Sequence, residues 1–180
     1  KRQHLPLAGS TFKKVYYDVP LGRAVSKFVP ADELIVPYTA TSIEDAEAVI
    51  HTVKISENEL RKQQVSGFYR DVELGPPGNV ERNELEKKER ELDGTKKSGK
   101  NEPVYTLLEC HVNLDLEGFE EVGVDGTPTG IKLPYIVTVE EGSRVVLSIR
   151  RNYAPNDLKK NKIQYFVHFK FLPGLGFYGF

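Results

Sequence analysis

Between Val104 and Leu116 the chain alternates with period two. Val104, Thr106, Leu108, Cys110, Val112, Leu114 and Leu116 fall on one side, and Tyr105, Leu107, Glu109, His111, Asn113 and Asp115 on the other. Successive side chains of a strand point to opposite faces, so this run predicts a half-buried strand with Leu108, Cys110 and Val112 on its apolar face. Similar runs predict strands over 131–139, 144–150 and 163–171. Turn chemistry joins them at Asp125-Gly126, at Glu140-Glu141-Gly142-Ser143 and at Asn156-Asp157. Consecutive strands with such short links predict an antiparallel meander, packed on one face and partly wet on the other.

The earlier part of the chain mixes periods. Phe12 to Tyr17 and Ala24 to Val29, separated by Asp18-Val19-Pro20-Leu21-Gly22, predict a hairpin. Pro30-Ala31-Asp32-Glu33 predicts another turn, and Pro37 marks Leu34 to Tyr38 as an edge strand, because proline supplies no ladder donor. Ser42-Ile43-Glu44-Asp45 predicts the start of a short helix, and Ala48 to Ile55 a strand. Ser56-Glu57-Asn58-Glu59 is a capping box, which predicts a helix over 57–66 closed by Gly67. Its apolar positions are Leu60 and Val65 alone, too few for a wide buried stripe, so this helix is expected on a surface.

Gly75-Pro76-Pro77-Gly78 is a strong breaker, and the composition changes beyond it. Glu81, Glu84, Glu86, Glu89, Glu91 and Asp93 interleave with Arg82, Lys87, Lys88, Arg90, Lys96, Lys97 and Lys100. The i,i+4 pairs Glu84–Lys88 and Glu86–Arg90 predict a solvated helix over roughly 80–92, with a linker over 93–103. The expected organisation is an α+β part over 1–75, a linker with a charged helix over 76–103, and the meander over 104–180. The fold class is α+β, mainly antiparallel β-sheet with a few short surface helices.

Composition narrows the function classes. The 180 residues are 39% hydrophobic and 28% charged, enough to bury a core. No run approaches the roughly 18 to 20 consecutive apolar residues of a membrane span. With 25 basic against 26 acidic residues, the chain lacks the strongly basic balance of a domain that grips phosphates. A single cysteine and the lack of any Asn-x-Ser/Thr acceptor fit a reducing compartment better than secretion. A sequence without methionine that ends on Phe177-Tyr178-Gly179-Phe180 reads as a piece of a longer chain.

Candidate chemistry is sparse. Cys110 and His111 suggest a thiol nucleophile with its base, but adjacent strand residues point to opposite faces and cannot pair. Cys110 reads as a small hydrophobe. His4, His51 and His168 have no partner at metal-ligand spacing, and His168 shares a strand face with Gln164, Phe166 and Lys170, a polar surface position. The carboxylate pairs Glu120-Glu121 and Glu140-Glu141 sit in turns, where solvated charge is the simplest account. Gly174-Leu175-Gly176-Phe177-Tyr178-Gly179 satisfies G-x-G-x-x-G, but after an alternating strand and Pro173, with bulky aromatics in its x-x positions; it reads as a tight packing loop rather than a dinucleotide site. These readings assign no catalytic, metal or cofactor-binding residue. Phe177, Tyr178 and Phe180 are expected to pack on the chain that follows or on a neighbouring subunit.

Five segments, read as strings, resemble the P22-like portal family of tailed bacteriophages: 9–18 (GSTFKKVYYD), 28–38 (FVPADELIVPY), 60–72 (LRKQQVSGFYRDV), 133–139 (LPYIVTV) and 167–180 (VHFKFLPGLGFYGF). They occur in the family's order and span nearly the whole chain, with 75–103 the least similar stretch. The resemblance implies a fragment of the wing region of a portal protein, without catalysis or cofactor. It further implies a ring of twelve subunits at one capsid vertex, assembled in the host cytoplasm and carried in the virion. Partners implied are the terminase, capsid, head-completion and tail proteins, and double-stranded DNA that passes through without tight binding. Two other classes compete on residues alone. One is a β-rich ligand- or surface-binding module of adhesin type; the other is an enzyme, which would need His51, His111 or His168 to converge with carboxylates.

Overall fold

A computed structural model describes residues 9–18, 22–77, 103–172 and 177–178. The helix expected over 80–92 and most of the linker after it lie outside the described residues, as do His4 and Phe180.

Among the described residues, eight strands form two sheets. β1 (Ser10–Asp18) and β2 (Arg23–Pro30) make the expected antiparallel hairpin, with Phe12 opposite Val29 and Tyr16 opposite Val25. A single 3-10 turn, Ala31–Glu33, leads into β3 (Leu34–Ile35), which is confined to two residues at the edge of the larger sheet, where Pro37 permits no further pairing. β4 (Ala48–Ser56), β5 (Val104–Leu114), β6 (Leu133–Glu140) and β7 (Val146–Arg151) complete that sheet in the order β3-β4-β5-β6-β7, every neighbouring pair antiparallel. This is the expected meander, with one correction. β8 (Phe166–Lys170) does not continue it but crosses to β1, giving a second sheet of order β2-β1-β8.

Both sheets therefore span the expected division at 76–103. β4 lies beside β5 along nine register pairs, from Ala48 opposite Val112 to Ser56 opposite Val104, and β1 lies beside β8. Segments far apart in sequence are neighbours in each sheet.

The helix expected over 57–66 is α1 (Glu57–Val65), and the Ser56 hydroxyl accepts the Glu59 amide at 3.3 Å. Gly67, at φ +75°, follows it in the left-handed conformation that a side chain resists. Its buried residues are Leu60 and Gln64, not Val65. The Gln64 amide donates to the carbonyls of Val72 (2.9 Å) and Arg70 (3.3 Å), so a polar side chain takes the inner position by satisfying the backbone that doubles back beneath it. Val65 points away and is exposed.

No helix forms at Ser42–Asp45. The Ser42 amide donates to Asp45 Oδ1 (2.7 Å) and the Asp45 amide to Ser42 Oγ (3.3 Å), closing one turn on itself. Ile43 and Ala46 are buried in the core, and the chain must already be extended at Ala48, so the side-chain bonds replace the helix they would otherwise open. Lys162 ties the loop down by donating to the Ala46 carbonyl at 3.1 Å.

One face of the five-stranded sheet carries both cores. Over one half, α1 and the chain after it cover Ile55, Leu60, Tyr105, Leu107 and Leu147. Over the other half the three-stranded sheet and the 36–47 loop cover Leu34 and Val49, with Phe12, Val29, Ile43, Phe166 and Phe177 between them. The inward row of β5 is therefore Tyr105, Leu107, Glu109 and His111. The row expected to face the core, with Leu108, Cys110 and Val112, is the half-exposed one.

Candidate functional site

The seam between the two sheets is where titratable groups meet. Strand alternation on β1 turns Phe12, Lys14 and Tyr16 inward, and on β5 it turns Glu109 and His111 towards them. The β4–β5 register sets His51 directly opposite Glu109. Four of these positions, Lys14, His51, Glu109 and His111, are titratable, and each sits where a strand's inward row passes the seam.

Glu109 is the hub. Its two oxygens accept from Lys14 Nζ at 2.5 and 2.7 Å, and Oε1 lies 2.7 Å from His111 Nε2. Burial opposes ionisation of this carboxyl, but the His111 hydrogen bond and the Lys14 charge outweigh it and hold the pKa at about 2. The ion pair bridges the sheets and is mostly shielded, with 15% and 19% of the two side chains exposed. His51 lies on the same face, and its Nδ1 is buried without a hydrogen-bond partner. Burial and the nearby Lys14 push its pKa down to about 4, so the ring is neutral near pH 7. Phe166 closes the seam, edge-on to His51 (5.6 Å between centroids) and to His111 (5.2 Å), and Tyr165 meets His111 at 5.6 Å.

A second cluster lies next to it. His168 stacks between Phe12 (4.4 Å) and Phe177 (4.7 Å), and its Nε2 is 2.8 Å from Ser10 Oγ. The surface position expected for His168 is thus an aromatic stack, because β8 pairs with β1 rather than extending the meander. Burial lowers its pKa to about 4. Of the expected packing residues, Phe177 is buried in the seam, and Tyr178 packs edge-on to it at 5.0 Å while donating to the Leu34 carbonyl at 2.8 Å. Both pack within this chain. Phe180 lies outside the described residues.

The remaining sequence candidates resolve individually. Cys110 and His111 do point to opposite faces, and burial followed by the Glu109 charge raises the Cys110 pKa, the reverse of an activated thiol. Glu140 is not a solvated turn charge. It is buried, and its carboxylate accepts from the Gly142 amide (3.0 Å), the Ser143 amide (2.6 Å) and the Ser143 hydroxyl (2.6 Å), fixing the β6–β7 turn. Glu121 pairs with Lys160. Among the described residues no group of three His, Cys, Asp or Glu side chains is arranged to hold a metal ion.

The histidines do converge in part, since His51 and His111 meet Glu109. Both oxygens of that carboxylate are already engaged by Lys14, so this carboxylate joins the two sheets. Lys14 and Glu109 escaped the sequence reading. The signal was present in two strands of alternating pattern, each with one charge of opposite sign on the row shared with aromatics, Phe12-Lys14-Tyr16 and Tyr105-Glu109-His111. No protein-family model and no curated protein matches the chain.

Proposed function

We propose that this chain is part of a structural subunit of a phage portal ring, forming the conduit for genome packaging and ejection at a capsid vertex. The observation that carries the reading joins sequence to fold. The segments that resemble the portal family are the ones that interlock: 9–18 is β1, 28–38 runs from the end of β2 through β3, 133–139 lies within β6, and 167–180 contains most of β8 and the aromatic clasp after it. They supply Phe12, Val29, Leu34 and Phe177 to one core, and 60–72 supplies Leu60 to the other. A resemblance that takes in these framework positions speaks to fold and assembly.

The outward face of the small sheet supports an assembly role. Val15, Tyr17, Val167 and Phe169 lie on that face, each at least 41% exposed, and Phe171 beyond β8 is 48% exposed. An apolar surface of this kind is suited to burial against a second copy of the chain. The near-neutral net charge of −1 suits a ring through which DNA passes without being held. In this reading the terminase and the head-completion and tail proteins dock on the ring rather than on the isolated chain.

The test is native mass spectrometry of the chain extended to its natural ends and expressed without partners. A closed ring is expected, and Phe169→Glu with Phe171→Glu is expected to reduce it to monomers of unchanged secondary structure. A chain that stays monomeric at every concentration overturns the reading and leaves a β-rich binding module in its place.

A further inference from the structure

We infer that β8 is an acid-released strap: protonation of His51 lifts Phe166–Lys170, with Phe177 and Tyr178, away from the larger sheet while that sheet stays folded. The inference is independent of the portal reading.

Geometry carries it. His51 stands on β4 and is met from across the seam by the Phe166 ring of β8, over which the Lys14 ammonium of β1 also lies at 5.7 Å. The charged and titratable groups that face it are Lys14 on β1, Lys27 on β2, and Glu109 and His111 on β5. Only Glu109 is negative, and both its oxygens already bond Lys14, with His111 on one of them. The buried Nδ1 has no acceptor to receive a new N–H. An imidazolium at this position gains no counter-ion of its own and faces two lysines, so it must be hydrated.

The way in is through Phe166. Among the described residues β8 is five residues long, lies at the edge of its sheet and pairs with β1 alone. Its inward side chains are Phe166 and His168, whereas Val167 and Phe169 face away from the seam. Opening between β4 and β5 would break a ladder of nine register pairs between interior strands, and opening at β3, the two-residue edge pair beside His51, would expose the fully buried Leu34. His168 moves with β8, leaves its stack between Phe12 and Phe177, and is hydrated in the same step, which adds in the same direction. The groups facing His168 are Lys170 on its own strand, Glu44 in the 36–47 loop, and the Ser10 hydroxyl on β1.

The sign follows from linkage. The folded pKa of His51, about 4, lies below its ordinary 6.5, so the closed form is favoured above pH 6.5 and the preference is lost as pH falls from 6.5 towards 4. Amide hydrogen exchange by NMR on the 180-residue chain reads this directly. Between pH 7 and pH 4.5, protection factors in β8 and in the β1 amides bonded to it are expected to fall more than about tenfold relative to β5 and β6. His51→Phe, which keeps a ring against Phe166 and removes the proton site, is expected to shrink that fall and leave the part that His168 contributes. Parallel loss of protection in β8, β5 and β6, or a His51→Phe chain that loses β8 protection as far as the wild type does, overturns the inference. The His51 ring titration in the wild-type chain is the second readout, and covers a variant that does not fold. A midpoint below pH 6 that tracks β8 opening supports the strap, and a midpoint at the ordinary value with β8 still protected overturns it.

Discussion

Glu109 sits among an ammonium, an imidazole and aromatic rings, and its replacement separates two consequences of burying a charge. Glu109→Gln leaves the Lys14 ammonium buried without its counter-charge, for an expected loss of about 3 kcal/mol in urea-unfolding stability. Lys14→Met combined with Glu109→Leu removes both charges and is expected to return to within about 1 kcal/mol of the wild type, because the desolvation cost goes with the attraction. The acid dependence has a definite sign. With its pKa held at about 2, Glu109 contributes fully above its ordinary 4.5, and that contribution is lost as pH falls from 4.5 towards 2. Tyr135 tests the opposite case, a buried hydroxyl without a hydrogen-bond partner. Tyr135→Phe is expected to hold or raise stability, by up to about 1 kcal/mol, in the same unfolding measurement.

At the scale of elements, local signals held wherever a short stretch of chain decides its own conformation. The α1 cap is one. Ser56→Ala removes the acceptor for the Glu59 amide and is expected to cost about 1 kcal/mol, measured by thermal or urea unfolding. The β1–β2 hairpin and the edge position of β3 are others, each expected from residues within a few positions of one another. The inward row of β5 was not legible. Both rows contain apolar residues, and Leu108-Cys110-Val112 is the more uniformly apolar, yet the row with Glu109 and His111 turns inward because Lys14 and Phe166 arrive from another sheet to meet it. Cys110 on the outward row carries its own test. Burial and the Glu109 charge raise its pKa, so alkylation near pH 8 is expected to be slower than for an unhindered thiol, and to reach the free-thiol rate once urea unfolds the chain.

For the whole molecule, the consequence of the topology is that the two sheets share a seam instead of forming separate domains. Phe166 comes from the last strand and touches rings on β4 and β5, so it belongs to both sheets at once. Phe166→Ala is expected to cost about 3 to 5 kcal/mol, and fluorescence and circular dichroism should still report a single coincident unfolding transition. Separate transitions for the two halves of the sequence would show that the halves are independent. β4 and β5, which flank the charged stretch in the sequence, are adjacent strands.

The sequence by itself determined the strands, their turns, the capped helix and the mainly antiparallel class, because each follows from residues within a few positions of one another. It also determined that Cys110 and His111 cannot cooperate, since alternation is a property of one strand. Only the tertiary structure decided which face of β5 is inside, that β8 leaves the meander for β1, and that Lys14, His51, Glu109 and His111 form one cluster. Those outcomes rest on contacts between residues far apart in sequence, such as Ser10 with His168, 158 positions away. A polar residue in an alternating row is outward by default, and becomes inward only when a distant strand brings the charge or hydrogen bond that satisfies it.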